Sequence, residues 1–194
     1  MKEVGQGMSN PRFRTVFQQN MTNERLLSLF GEAEVAGLRL NAARTLLQVE
    51  LRLPQFVEYE SLRDCERSIA GALGISAVEL IPHFPADSLR EACFPTIVEL
   101  LRSKHTAVNG YFDGASCVLA EEELTIRLPN GGRDMLLAMK IDKLTETLLL
   151  SLFGRRLKVT LEGADGVDQE SDYYRSMMEQ ADREAAAAAA AVAA

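Results

Sequence analysis

The feature that most constrains this chain is a repeated switch of hydrophobic period. Leu47, Val49, Leu51 and Leu53 alternate with Gln48, Glu50 and Arg52, the period of two that marks a strand with one buried face. Tyr59, Leu62, Cys65, Ile69 and Leu73 then recur at three- and four-residue steps, with Arg63, Asp64, Glu66 and Arg67 between them and Gly74 after them. That is an amphipathic helix with a glycine stop. A chain that keeps changing between the two periods is neither a helical bundle nor an all-β sandwich. It belongs to the α+β class.

The remaining segments extend this reading. Phe13, Val16 and Phe17, then Leu26, Leu27, Leu29 and Phe30, fall at helical spacing on either side of Asn20-Met21-Thr22-Asn23-Glu24. Two short helices are expected there, the second capped by Thr22 or Asn23. Leu38 and Leu40 alternate with Gly37, Arg39 and Asn41, which predicts a hairpin with the strand ending at Pro54. A strand over 78–81, closed by Pro82 and Pro85, precedes a helix from Asp87 or Ser88 to Leu101, with a kink or a junction at Pro95. Strands near 116–120 and 123–128 follow. A long helix from about Asp134 to Phe153 then shows Leu137, Ile141, Leu144, Leu148 and Leu152 on one face, and Leu157, Val159 and Leu161 form a last strand.

The expected architecture is a small mixed sheet with helices packed on one face over residues 38–161. A helical segment, 1–37, precedes it. An acidic linker and an alanine-rich tail, 162–194, follow it. The tail has high helix propensity but no apolar stripe after Met178, so a helix over 171–194 standing clear of the body is expected. Its alanine run points to a truncated parent or to alanines standing in for unassigned side chains.

Composition decides which functions to weigh. Asp plus Glu number 28 against 21 Lys plus Arg, a formal charge of -7, whereas a domain that grips phosphate backbone is usually basic. No apolar run approaches the ~20 residues that span a bilayer, and residues 1–10 hold no apolar signal core. A cytoplasmic protein with no membrane partner is expected. Cys65, Cys93 and Cys117 stand far apart and read as small hydrophobes in a reducing compartment.

Catalytic signatures are absent from the sequence: no Walker loop, Rossmann fingerprint, nucleophile elbow or Cys-x-x-Cys pair occurs. His83 and His105 each lack a second ligand at metal spacing and read as a turn residue and a helix-end residue. Glu121, Glu122 and Glu123 are consecutive on an extended segment, so they point to opposite faces. No metal and no cofactor are expected. Gly71-Ala72-Leu73-Gly74 has the Gly-x-x-Gly spacing of a KH nucleic-acid clamp, but Ala72 and Leu73 read as the last turn of a helix. The cations left to form a basic, single-stranded nucleic-acid-binding face are Arg63, Arg67, Arg155, Arg156 and Lys158.

The order of segments resembles the N-terminal region of the PolC-type alpha subunit of bacterial DNA polymerase III. An aromatic-bearing helix leads to a Gln-Gln-hydrophobic-Thr stretch there, as in Phe13-Arg14-Thr15-Val16-Phe17-Gln18-Gln19-Asn20-Met21-Thr22. A second helix ending in Phe30, a Gly-Glu turn and a hairpin like Leu38 to Leu53 follow, and the long helix ends in Phe-Gly before a strand, as at Leu152-Phe153-Gly154. A charged helical linker matches Tyr173-Tyr174-Arg175 onward. The second hairpin strand of many relatives carries aromatics where this chain has Leu47, Val49 and Leu51, and the linker here is alanine-rich.

The resemblance implies a KH-like interaction domain, similar to the C-terminal domain of the clamp-loader tau subunit, that tethers the polymerase to the replisome. It implies a parent with DNA polymerase and 3'-5' exonuclease activities, the carboxylates of both lying in later domains. A tau-type clamp-loader subunit is the implied partner, and weak single-stranded DNA binding is the alternative.

Overall fold

The computed structural model describes residues 10–20, 23–105, 108 and 110–163. Along the chain run α1 (Phe13–Phe17), α2 (Glu24–Phe30), β1 (Glu34–Leu40), β2 (Leu46–Arg52), α3 (Tyr59–Leu73), β3 (Ala77–His83), α4 (Phe94–Lys104), β4 (Ser116–Leu119), β5 (Glu123–Leu128), α5 (Arg133–Ala138), α6 (Ile141–Phe153) and β6 (Lys158–Gly163). The α+β class expected from the changing period is what the chain adopts. The strands divide into two mixed three-stranded sheets, β1-β2-β3 and β4-β5-β6, where the sequence reading has one. Period identifies strands but does not say which of them pair. The tail helix expected over 171–194 lies outside the described residues.

Two compact units result. The first comprises the described residues up to Thr96 together with Leu149–Arg155; the second comprises Ile97–Leu148 with the described residues from Arg156. In the first unit, α1 and α2 are too short to be stable alone and are held by packing against their neighbours. Phe13 is fully buried, its ring 4.8 Å from Phe17 and 5.7 Å from Phe30. Asn23 supplies the expected cap: its Oδ1 accepts from Arg25 N at 3.0 Å and Leu26 N at 3.3 Å. Replacing Asn23 with alanine is expected to cost about 1 kcal/mol in denaturant titrations and replacing it with aspartate almost nothing. Equal losses in the two variants would show that the cap contributes nothing.

Several boundaries differ from the sequence reading, each for a local reason. β1 begins at Glu34 rather than near Gly37. β3 runs through Pro82 to His83, because β3 is an edge strand, where a missing N–H costs no ladder bond. Pro95 falls in the first turn of α4, whose N–H groups have no intrahelical partner in any case, and a short 3₁₀ turn, Glu91–Cys93, abuts it. The single helix expected from about Asp134 to Phe153 is two: Lys140 adopts φ 57 and separates α5 from α6. That break shifts the phase of the apolar stripe, so Leu136 is fully buried while Leu137 is exposed.

The two sheets repeat one plan. In each, an antiparallel pair (β1 with β2, β4 with β5) is followed by a helical crossover to a third strand parallel to the second. Val49, Leu51 and Leu53 are buried in the first, and Leu124, Ile126 and Leu128, at constant separation, in the second. Val49 pairs with Leu80 and Leu124 with Val159.

The crossover helices match as well. Arg63, Cys65, Glu66, Ile69 and Gly74 in and after α3 correspond, again at constant separation, to Lys143, Thr145, Glu146, Leu149 and Gly154 in and after α6. Cys65, Thr145, Ile69 and Leu149 are all fully buried. Gly74 and Gly154 take φ 64 and φ 65, the left-handed conformation that ends a helix and that a side chain resists. Both glutamates do the same job. Glu66 Oε1 accepts from Leu80 N at 2.8 Å, and Glu146 Oε1 accepts from Val159 N at 3.1 Å. Each is paired with the cation one turn earlier on its helix, Arg63 and Lys143.

Candidate interaction site

β1 is an outer strand of the first sheet, with β2 on its inner side. At the start of its outer side the chain pairs with itself: Val35 N donates to Pro11 O at 2.9 Å and Arg12 bridges Glu34. An irregularity between Val35 and Gly37 follows. Past that bulge, no strand among the described residues pairs with the outer side of Leu38–Leu40. Asn41 N donates to Leu46 O at 3.0 Å across the hairpin. Hydrogen-bonded pairs alternate in an antiparallel ladder, so Arg39 and Gly37 bond inward to β2 while Leu38 and Leu40 turn their N–H and C=O outward.

Side chains on the two sheet faces differ. Leu38 and Leu40 stand opposite Val49 and Leu47, on the same face as the buried Leu51, Leu80 and Pro82. α3 runs against β3 on the sheet's far side, so it leaves Leu38 and Leu40 about half exposed, at 50% and 51%. The opposite face is polar: Gln48 donates to Glu79 at 2.8 Å, and His83 Nε2 lies 3.1 Å from Glu50 Oε1. Arg39 belongs to this polar face and is exposed.

A cleft of about 550 Å³ opens at the end of the first sheet, lined by Glu50, Arg52, His83, Phe84, Ser151 and Phe153 among others. His83 is the last residue of β3 rather than a turn residue. Its Nδ1 donates to the carbonyl of Ser151 at 2.7 Å, and its Nε2 faces Glu50. Both nitrogens are engaged in holding strands and segment together. Below the cleft Phe84 packs between Phe56 at 5.1 Å and Phe153 at 5.4 Å.

The five cations singled out from the sequence fall on different elements. Arg63 and Arg67 lie one turn apart on α3, Arg63 paired with Glu66 and Arg67 with Asp64 at 2.6 Å. Lys158 pairs with Glu123 at 3.4 Å. Arg155 is half-buried and Arg156 exposed. Gly71 lies inside α3 and Gly74 caps it, so the Gly-x-x-Gly spacing is a helix terminus here.

The buried titratable groups are structural. Burial, reinforced by the neighbouring Glu66 charge, pushes the Cys65 thiol up to about 12, so it is an inert core group. Burial also raises the Glu66 carboxyl, against the Leu80 amide and Arg63, which pull it down. Among the described residues no group of three or more His, Cys, Asp and Glu side chains is placed to hold a metal ion, and no helix is long and apolar enough to cross a membrane. Sequence reading missed Leu38, Arg39 and Leu40 as a surface. The available signal was a stretch from Val35 to Val49 with two arginines and no carboxylate.

No family model matches this chain, and no curated protein or solved structure matches it.

Proposed function

We propose that this chain is a non-catalytic protein-interaction module of KH-like character, the N-terminal part of a PolC-type DNA polymerase III alpha subunit. It tethers that polymerase to the replisome through a tau-type clamp-loader subunit. The observation that carries the interaction reading is the outer side of β1, where outward-facing backbone groups lie beside the exposed Leu38 and Leu40. Such an edge invites another chain unless something covers it. Parent and partner come from the segment order shared with the PolC-type family. Polymerase and exonuclease chemistry belongs to later domains of that parent.

A single-stranded nucleic-acid role is less well supported. Three of the five candidate cations, Arg63, Arg67 and Lys158, already face carboxylates, and affinity for phosphate comes from cations free to displace counterions. Calorimetric titration of the chain with a tau-type C-terminal domain tests the proposal, with saturable heat expected. No heat with that domain or with any other replisome subunit overturns it.

A further inference from the structure

The surface just described also specifies the chemistry of what it takes. We propose that the outer side of β1 accepts an extended strand of a partner protein whose residues alternate apolar, acidic, apolar. The proposal rests on the interaction-module reading and assigns its contact.

Backbone geometry sets the first requirement. Leu38 and Leu40 direct their N–H and C=O groups away from β2, so an added strand can form ladder bonds at both. Residues opposite Leu38 and Leu40 then share the face that those leucines continue out from the core. Each leucine is about half exposed, and covering their apolar area is the main favourable term. Both partner positions are therefore apolar.

Charge sets the second requirement. The residue between them stands opposite Arg39 on the polar face. From Val35 to Val49 the only charged side chains are Arg39 and Arg44, and neither has an ion-pair partner among the described residues. A carboxylate opposite Arg39 completes a cross-strand pair at an exposed site.

Register is fixed by the next position. Gly37 has no side chain, and a Cβ placed there would lie 3.2 Å from Glu50 Oε2. The Glu50 carboxylate therefore lies against the bare backbone of Gly37 with no side chain there to screen it, and an acidic partner residue opposite Gly37 is repelled. The same alternating strand shifted by two residues puts its carboxylate there, so the shifted register is disfavoured.

The test uses the whole chain, ¹⁵N-labelled, and the symmetric peptide acetyl-Lys-Val-Glu-Val-Lys-amide, which presents the same pattern in either direction. The control is acetyl-Lys-Val-Lys-Val-Lys-amide. We expect saturable shifts at the Leu38 and Leu40 amides, with the control binding roughly three- to fivefold more weakly. The Arg39→Glu variant is expected to invert the preference.

Equal response to the two peptides, or an Arg39→Glu variant that responds like the parent, overturns the proposal. So does strong hydrogen-exchange protection of both amides before peptide is added, which would mean the chain itself or a second copy already occupies the edge. Calorimetry with the tau-type domain separates the two levels. Heat that survives both Arg39→Glu and Leu40→Lys keeps the interaction module and removes this edge as its contact, whereas peptide binding without heat keeps the edge and removes that partner.

Discussion

Truncating Phe153 to alanine is expected to destabilise the protein by about 3–5 kcal/mol, the range for a large aromatic removed from a packed core. Phe153 is 2% exposed, and its ring sits 5.4 Å from Phe84 and 6.4 Å from Phe56. Deletion removes the transfer energy of the ring and its packing against two others, and backbone bonds hold the site open. Phe84 N donates to Leu152 O at 2.6 Å, and His83 Nδ1 to Ser151 O at 2.7 Å. A site held by such ties relaxes poorly into the vacated volume. For a chain of this size each kcal/mol moves the melting midpoint by about 2–4 °C, so a fall on the order of 10 °C is expected by calorimetry. Phe153→Leu should recover more than half of it. A fall of only a degree or two for the alanine variant would mean that the ring is not part of the core.

The second large effect is expected at Glu66, where two substitutions should diverge. Glu66→Leu strands the Leu80 N–H that the carboxylate accepts at 2.8 Å, a loss of about 1–3 kcal/mol for an unsatisfied buried donor. Glu66→Gln keeps an acceptor oxygen for that amide and removes a half-desolvated charge, so its stability at neutral pH should equal or exceed that of the parent.

Their pH dependence follows from the raised carboxyl. Burial lifts Glu66 above its ordinary value of 4.5, so the folded protein holds this proton to higher pH than the unfolded chain does. Its stabilising share is complete below 4.5 and is lost as pH climbs from there through the raised value. Glu146 and Glu123 are shifted the opposite way, and both remain in the variant. The difference in stability between Glu66→Gln and the parent therefore isolates Glu66 and should grow in favour of the variant across that window. A difference that is flat with pH, or a leucine variant as stable as glutamine, would overturn this account.

Strands and helices were largely legible in the sequence because each carries its own period. α3 runs over Tyr59–Leu73 with Gly74 as its stop, as the three- and four-residue spacing predicts. Pairing was not legible. The two sheets share their plan through burial, strand polarity and a cation followed three residues later by a glutamate, while few residue identities coincide. Glu66 and Glu146 look like ordinary polar-face residues until the third strand is placed against them. The same holds for the β1 edge. Leu38 and Leu40 read as core leucines from alternation, and only the position of α3 leaves them half uncovered. Lys140 at φ 57 was illegible for a different reason: nothing in a lysine announces a left-handed conformation.

The first unit draws its last segment, Leu149–Arg155, from beyond Ile97–Leu148. During synthesis that segment, with Phe153 on it, leaves the ribosome only after the intervening stretch has been made. At roughly 5–20 residues per second the wait is on the order of seconds. A nascent chain ending near Thr96 therefore has β1, β2, α3 and β3 in hand while Phe56 and Phe84 still lack their third ring. Closing so long a loop is slow in chain-entropy terms even when its final contacts are strong. The aromatic seal of the first unit is thus the last of its parts to become available to the chain.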